Sequence, residues 1–529
     1  MTDLAAPRGS ATLASTTLPE LLSHAARDGE VPFLRCPERT WTYTEFAHVV
    51  DRFASGLREL GITQGDRVAI AAPNSAEWLI TWFATVKVGA VLVTLNVAYR
   101  EREFDFMLNQ SGSVMLLTSA QDGDFDFVSF LDRLRPRIPT VRHFVFLGGA
   151  GFAGSHRWED LRVPGEGPVA DPDTGPAAPE DPAVILYTSG TTGEPKGATL
   201  THASIIASAR AQAEHLAQTS GDVAIGHMPL NHVGGLTCTV TASMVVQGSV
   251  ALLPRYSPAQ ALDSIGRHGV TIFIGVPTMY AKMMELPEFA GVDVSSVRTC
   301  VIGGSNVEPA MGRRIIDSFD GARLANLYGL SETSGGCIIS AADDDLDTLV
   351  ETLGVPIGDF EVRIADDDNH PLPPDADGEL QVRGGCVSPG YWDLGAPSTF
   401  LPDGWLATGD MALRRPDGRV ALRGRKKEMY IRGGYNVYPA EVENVIAGEP
   451  SIAMCAVIGV PDVVNGEVGH AYVVPATGAT ADPEALLDLC RTKLARYKVP
   501  ARILVVDSLP LTPSGKIKKV ALRDAMVAP

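Results

Sequence analysis

Between Thr42 and Ile274 the chain alternates between two hydrophobic periods, and this constrains the fold more than any single residue does. Phe46, Val49, Val50, Phe53, Leu57 and Leu60 recur at helical spacing. Thr42 and Glu45 suit a capping box, and Gly61 suits a helix stop. A strand pattern follows at 67–72, then a helix at 76–88 that buries Trp78, Leu79, Trp82, Phe83 and Val86. Further strand signals stand at 114–118 and 143–147. The rhythm resumes with a helix near 203–216, a strand at 250–253, a helix near 259–268 and a strand at 271–274. Such alternation predicts an α/β chain built on parallel sheet.

From about Leu353 the pattern changes to short strands and turns at 361–364, 379–383 and 419–422, predicting a small β-barrel-like subdomain. A last unit starts near Arg425. It has a helix opening at Pro439, strands at 454–460 and 470–474, a helix at 483–497 and a strand at 502–506, a compact α+β pattern. A chain of 529 residues exceeds what one core usually supports. The expected division is a large domain over 1–424, with two parallel α/β subdomains and the small β piece, and a small domain over 425–529. Residues 163–181, rich in Pro, Gly, Ala and acids, predict a flexible surface connection.

Lys and Arg total 44 against 63 Asp and Glu, a net charge of −19. A nonspecific grip on nucleic acid or anionic membrane needs a positive face, so neither is expected, and an anionic ligand needs a local basic cluster. Seven cysteines are scattered with no Cys-x-x-Cys pair, which predicts reduced thiols in a cytoplasmic protein without a zinc site. The N-terminus lacks a basic segment followed by an apolar core, so no signal peptide is expected. The uncharged stretch 233–254 carries too many Gly, Thr and Ser residues for a membrane span and predicts a buried helix leading into a strand.

The densest chemistry lies in Tyr187-Thr188-Ser189-Gly190-Thr191-Thr192-Gly193-Glu194-Pro195-Lys196-Gly197, directly after the apolar Val184-Ile185-Leu186. Glycines let backbone N–H groups approach an anion, hydroxyls add donors, and lysine adds mobile charge. A loop over the polyphosphate of ATP is the functional reading, and a polar surface turn is the bland one. The spacing is not that of a P-loop, because Gly193 is followed by Glu194-Pro195-Lys196.

Five further segments add parts. Asn326 to Thr333 offers an aromatic face at Tyr328, a turn at Gly329 and a carboxylate at Glu332 able to hold Mg²⁺, against the reading of a solvated acid. Trp405 to Asp410 ends in an aspartate able to accept ribose hydroxyls, or is a plain Gly-Asp turn. Arg425 to Pro439 joins a basic cluster to Gly433-Gly434, which suits a phosphate contact beside a hinge or a charged linker. Thr512 to Lys519 is an exposed turn carrying Lys516, a position where most lysines are merely solvated. Met228 to Gly235 contains His232, and a lone histidine is more often structural.

In order and spacing these segments resemble the adenylate-forming superfamily of acyl-CoA synthetases, peptide-synthetase adenylation domains and luciferases, from about Thr42 to Leu522. Six separated motifs agree, which makes the likeness specific. The resemblance implies that Thr188, Ser189, Gly190, Thr191, Thr192, Gly193 and Lys196 form the phosphate loop, with His232 near an acyl pocket. It puts Gly303, Gly304, Ser305, Asn326, Tyr328 and Gly329 around the adenine. Ser331 and Glu332 would serve the α-phosphate and Mg²⁺, with Thr188 also near the metal. Asp410 would bind ribose, Arg425 ribose or phosphate, Lys427 would be the hinge of a mobile small domain, and Lys516 the adenylating lysine. Gly433 and Gly434 would line a channel for coenzyme A. Ser331 stands where Thr is usual, Asn231 where a bulky aromatic is common, and Lys518-Lys519 where an Arg is frequent.

The implied activity is that of an AMP-forming acid–CoA ligase using ATP, Mg²⁺ and coenzyme A on a fatty, alicyclic or aryl acid. An adenylation-only enzyme passing its acyl group to a carrier protein, an amine or another nucleophile is the alternative, and a nonenzymatic nucleotide binder is the rival from another class. An amino-acid adenylating role is disfavoured, because no Phe-Asp-x-Ser-type segment stands near 228–237. A monomer and a homodimer both fit this reading. Gly234, Gly235, Gly275, Gly303, Gly304, Gly335 and Gly336 suggest room for a chain or ring near the acyl pocket, or serve turns only.

Overall fold

The computed structural model describes residues 16–162, 177–188, 195–304, 307–395, 399–476, 478–511, 517–519 and 521–523. Most of the predicted connection at 163–181 lies outside them. The alternation does build parallel sheet. One eight-stranded sheet runs, in spatial order, Gly390–Tyr391, Lys196–Thr201, Pro182–Thr188, Val91–Thr94, Arg67–Ala71, Met115–Ser119, His143–Leu147 and His156–Arg157. It is parallel from Pro182–Thr188 to the last strand and antiparallel across the first three. A nine-stranded sheet has a parallel centre formed by Pro32–Arg35, Ser249–Leu252, Val223–Gly226, Ile272–Gly275, Thr299–Gly303 and Arg323–Leu330.

The helices form where caps and periodicity agree. Tyr43–Glu59 opens with the expected capping box: Thr42 N–H donates to Glu45 at 2.9 Å and Glu45 N–H donates to the Thr42 hydroxyl at 3.1 Å. Ala76–Lys87 is capped by Ser75, whose hydroxyl accepts from Trp78 N–H at 3.1 Å. These two helices and His202–His215 pack into one core that joins Val68, Leu92 and Leu186 of the first sheet to Phe33, Val250 and Leu252 of the second. Trp78, Trp82, Phe46, Phe53 and Phe83 fill it and are fully buried. Burial of large aromatic surface on both sides locks the two sheets together.

The stretch 233–254 is a buried irregular helix leading into a strand. A turn at Val233–Gly235 passes into a π-helical segment at Leu236–Thr241, then Ala242–Val245 and the strand Ser249–Leu252. Its hydroxyls explain how it tolerates burial: Thr239 donates to the Gly234 carbonyl at 2.8 Å and Thr241 to the Leu236 carbonyl at 2.9 Å. Each reaches five residues back and satisfies a carbonyl of the widened turn. Among the described residues no helix is long and apolar enough to cross a membrane.

The small β piece is a four-stranded antiparallel sheet ordered Glu361–Ala365, Gly378–Arg383, Leu406–Arg414 and Val420–Arg425. Beyond Arg425 a further sheet joins Tyr435–Val437, Tyr430–Arg432, Gly466–Pro475 and Ile452–Asp462, with Arg502–Val505 parallel to Gly466–Pro475. Several boundaries differ from the periodicity: the strands predicted at 454–460 and 470–474 extend over Ile452–Asp462 and Gly466–Pro475, where the two pair along their whole length. The helix predicted at 483–497 is Pro483–Lys493, because tertiary contacts claim its last residues. Tyr497 stacks on Tyr435 with centroids 4.7 Å apart, and Arg432 donates to the Tyr497 and Val499 carbonyls.

Candidate active site

The glycine-rich segment connects two antiparallel strands rather than a strand and a helix. Pro182–Thr188 pairs with Lys196–Thr201, with Thr188 opposite Lys196, and the Thr188 hydroxyl donates to the Lys196 carbonyl at 3.4 Å. Ser189, Gly190, Thr191, Thr192, Gly193, Ser305 and Lys516 lie outside the described residues. Gly197 is needed for the hairpin to close, since a Cβ there would meet Ile185 Cγ2 at 2.7 Å. The strand therefore fixes where Lys196 starts: its ammonium lies 5.3 Å from the centroid of the Tyr391 ring.

Glu332 sits in the tight turn Ser331–Thr333 at the end of the nine-stranded sheet. Thr333 builds that turn, its hydroxyl accepting from Leu330 N–H at 2.8 Å. Ser334 follows in the left-handed region at φ 55°, held by a 2.8 Å hydroxyl contact to Ser204. Tyr391 donates to Glu332 Oε1 at 2.7 Å, and Ser388 N–H donates to the Glu332 carbonyl at 2.8 Å. Ser331 is buried beside it. Gly329 is sterically obligatory, because its Cβ would lie 2.0 Å from the Gly335 carbonyl oxygen.

Asp410 is 2 % exposed, and both of its oxygens are engaged. The Tyr328 hydroxyl donates to Oδ2 at 2.6 Å, and Arg425 Nε lies 2.7 Å from Oδ1. Strand register produces the ion pair, since Asp410 and Arg425 face each other across the last two strands of the four-stranded sheet. Tyr328 comes from the other sheet, and burial followed by the Asp410 charge holds its hydroxyl well above the usual value, so it stays a donor. Asn326 is turned away: its amide donates to the Thr352 carbonyl at 3.2 Å, in a buried position. Gly303 ends the strand Thr299–Gly303, and Gly304 follows with φ 78°.

Past Arg425, the Lys427 ammonium is pushed below the usual lysine value, first by burial, then by Arg425, with Lys196 acting in the same direction and Glu428 and Asp410 opposing. Lys196, Arg425 and Lys427 thus share one electrostatic neighbourhood, a basic cluster in a chain of net charge −19. Lys519 is inserted between Glu428 and Glu443 at 2.8 Å from each, tying the chain end to the segment beside Lys427. Gly433 and Gly434, at φ 57° and 85°, form the two-residue hairpin turn between Tyr430–Arg432 and Tyr435–Val437. Nothing lies within 4 Å of a Cβ built at either, and Ile431, Tyr435, Val463 and Val464 are exposed nearby in sequence or pairing.

His232 Nδ1 accepts from Gly234 N–H at 3.1 Å, which fixes the ring and leaves the proton on Nε2. Two of the glycines expected near the acyl pocket, Gly235 and Gly335, are packing glycines. A Cβ at Gly235 would meet the Pro229 carbonyl oxygen at 2.4 Å, and one at Gly335 the Ser208 hydroxyl at 2.5 Å. They let backbones approach, and open no space. Gly235→Ala is therefore expected to destabilise the fold by about 1–3 kcal/mol, measured as a lower urea midpoint.

Two contact groups form here, Glu332–Tyr391–Lys196 and Arg425–Asp410–Tyr328, and Lys427 feels the charge of Lys196 in the first and of Arg425 and Asp410 in the second. Tyr391 is the member that motif reading missed. Its Gly-Tyr dipeptide carries no chemical signature, and only its pairing opposite Ala198 brings it to the site. Among the described residues no three His, Cys, Asp or Glu side chains stand together as a metal site. A single carboxylate beside a phosphate-binding surface still fits Mg²⁺, which takes one or two carboxylates and completes its shell with phosphate oxygens and waters.

The AMP-binding enzyme family matches residues 21–392, and the AMP-binding enzyme C-terminal domain matches residues 441–516. Feruloyl-CoA synthase from an Amycolatopsis species is 36% identical, covering 91% of this chain and 93% of its own length. Indoleacetate–CoA ligase from Aromatoleum aromaticum is 34% identical, over 94% and 96% of the two chains. Among solved structures, the anthranilate CoA ligase AuaEII in complex with anthranoyl-AMP superposes with a TM-score of 0.87 at 26% identity, covering 97% of each chain. With residues 21–392 and 441–516 both matched and relatives of this identity and coverage, the chain belongs to the AMP-binding enzyme family, the adenylate-forming acyl-CoA synthetases.

Proposed function

We propose that this chain is an AMP-forming acid–CoA ligase, and the observation that carries the reading is the pair of contact groups, Glu332–Tyr391–Lys196 and Arg425–Asp410–Tyr328. A carboxylate attacking the α-phosphate of ATP meets a like charge, so the site must supply positive charge and alignment. Lys196, at the base of the hairpin, contacts the outer phosphates. Asp410 exchanges its present partners for ribose hydroxyls, and Arg425, released from it, turns to ribose or phosphate. Ser331 donates to the α-phosphate. Glu332 and Thr188 would hold Mg²⁺, which would supply charge neutralisation at the phosphates. Lys516 approaches the α-phosphate from the small domain and stabilises the charge that builds there, giving acyl-AMP and pyrophosphate.

The proposed boundary follows Gly424, with Lys427 as the hinge of the small domain. Gly433 and Gly434, on an open hairpin flanked by exposed apolar side chains, support a second docking face that lines the way in for the thiol of coenzyme A. The free cysteines, six of them buried, support residence in the reducing cytoplasm. Several relatives, among them the feruloyl, indoleacetate and anthranilate enzymes, are named for ring-bearing acids, which supports an aryl or other cyclic acid over a simple short one.

A panel of fatty, alicyclic and aryl acids, assayed for pyrophosphate release with and without CoA, tests the function. Acid-dependent release followed by CoA thioester is expected. Release with no thioester, and acyl transfer to an amine or carrier protein instead, would replace the ligase by the adenylation-only enzyme. Gly434→Asn tests the second face. Asparagine tolerates φ above zero, so the turn survives while the side chain adds bulk. Thioester formation from supplied acyl-adenylate should fall at least fivefold, with pyrophosphate release within twofold of the parent. Equal loss in both would remove the channel role.

A further inference from the structure

Tyr391 is not among the residues that the motifs single out, yet among the described residues its side chain reaches both the Glu332 carboxylate and the Lys196 ammonium. It lies on the two-residue edge strand Gly390–Tyr391, opposite Ala198 on the strand that Lys196 begins. Its hydroxyl crosses to the turn of the other sheet and donates to Glu332 Oε1 at 2.7 Å. Its ring faces the Lys196 ammonium at 5.3 Å, within cation–π range. The ring is itself braced edge-on by Phe400, with centroids 5.3 Å apart. The backbone on both sides is pinned as well. Ser388 N–H donates to the Glu332 carbonyl, Trp392 N–H donates to the Gly197 carbonyl, and the Trp392 carbonyl accepts from Gln110, each at 2.8 Å. The segment 388–392 therefore fastens the Glu332 turn to the hairpin carrying Lys196.

We propose that Tyr391 is a positioning residue of the adenylation half-reaction: its hydroxyl fixes the Glu332 carboxylate with one oxygen committed to the phenol and the other left for a divalent cation, and its ring face holds the Lys196 ammonium in place for the phosphates. A carboxylate held by one donor presents its second oxygen in one orientation, and a lysine resting on an aromatic face loses fewer rotamers when the anion arrives. The proposal rests on Glu332 as the cation contact and Lys196 as a phosphate contact.

The test uses the full chain and five variants: Tyr391→Phe, Tyr391→Leu, Glu332→Gln, Lys196→Ala and the double variant Tyr391→Leu with Lys196→Ala. Calorimetry measures ATP binding without metal and across a Mn²⁺ titration, and a separate assay follows thioester formation from synthetic acyl-adenylate. Tyr391→Phe keeps the ring, so it should raise the Mn²⁺ concentration for half-maximal ATP binding at least fivefold while leaving metal-free ATP binding within twofold. Tyr391→Leu should also weaken metal-free binding at least threefold, and should add nothing further in the Lys196→Ala background. Thioester formation from acyl-adenylate should stay within twofold in Tyr391→Phe. If Tyr391→Phe leaves the metal dependence unchanged while Glu332→Gln shifts it, Tyr391 is not a positioning residue. If Glu332→Gln itself shifts nothing, the assignment of Glu332 fails first, and that result is separate from the first.

Discussion

Replacing Lys516 by alanine should lower pyrophosphate release by roughly a hundred- to a thousandfold, the loss that follows removal of one donor aimed at transition-state charge. Thioester formation from supplied acyl-adenylate should stay within threefold of the parent. The asymmetry follows from the chemistry. Negative charge accumulates on the α-phosphate as the acid attacks, whereas thiol attack on acyl-AMP expels AMP, whose ribose and α-phosphate would stay with Asp410, Arg425 and Ser331. The two half-reactions are measured separately, as acid-dependent pyrophosphate exchange and as CoA consumption. Equal loss in both would mean that the lysine supports the fold or the nucleotide site, and its assigned role would be lost.

Asp410→Ala carries the second large effect, and it reaches both stability and nucleotide binding. The buried carboxylate serves Tyr328 on one oxygen and Arg425 on the other, so its removal strands two donors at once. Breaking a buried pair from one side costs about 3–5 kcal/mol. Arg425 keeps a side-chain exposure of 39%, so water compensates in part and about 2–3 kcal/mol is the expected loss. ATP affinity should fall at least tenfold for want of a ribose acceptor. Urea denaturation and ATP calorimetry read the two effects independently. Asp410→Asn keeps the shape and should lose less stability than Asp410→Ala while still weakening ATP binding. An Asp410→Ala protein with parent ATP affinity would remove Asp410 from the nucleotide site.

What the sequence made legible depended on how local the determinant is. The capping box at Thr42 and Glu45, the helix from Ser75 and the parallel alternation all rest on neighbours in sequence, and all stand in the structure. The strand Lys196–Thr201 was not legible, because Lys-Gly-Ala-Thr-Leu-Thr carries little periodic apolar signal. It is stabilised instead by pairing on both sides, with Pro182–Thr188 and Gly390–Tyr391. The early end of Pro483–Lys493 has the same origin in distant contacts, through Tyr435 and Arg432.

The site divides along the same line. Glu332, Asp410 and Arg425 were readable as parts because each sits in a motif with a turn glycine or basic neighbour. Their mutual arrangement was not readable, since strand register sets the Asp410–Arg425 pair and a crossing between two sheets sets the Tyr391–Glu332 contact. Acyl preference was legible least of all. The glycines at 235 and 335 suggest space in a sequence, yet backbone and hydroxyl neighbours fill the positions their side chains would take.

An AMP-forming acid–CoA ligase splits one ATP between its α- and β-phosphates to activate an acid and then makes a thioester. Product analysis of a limiting-ATP reaction with a cognate acid and CoA tests it most directly. Equal amounts of AMP, pyrophosphate and acyl-CoA per ATP consumed are predicted, whereas formation of ADP and phosphate, or of AMP without acyl-CoA, would contradict it.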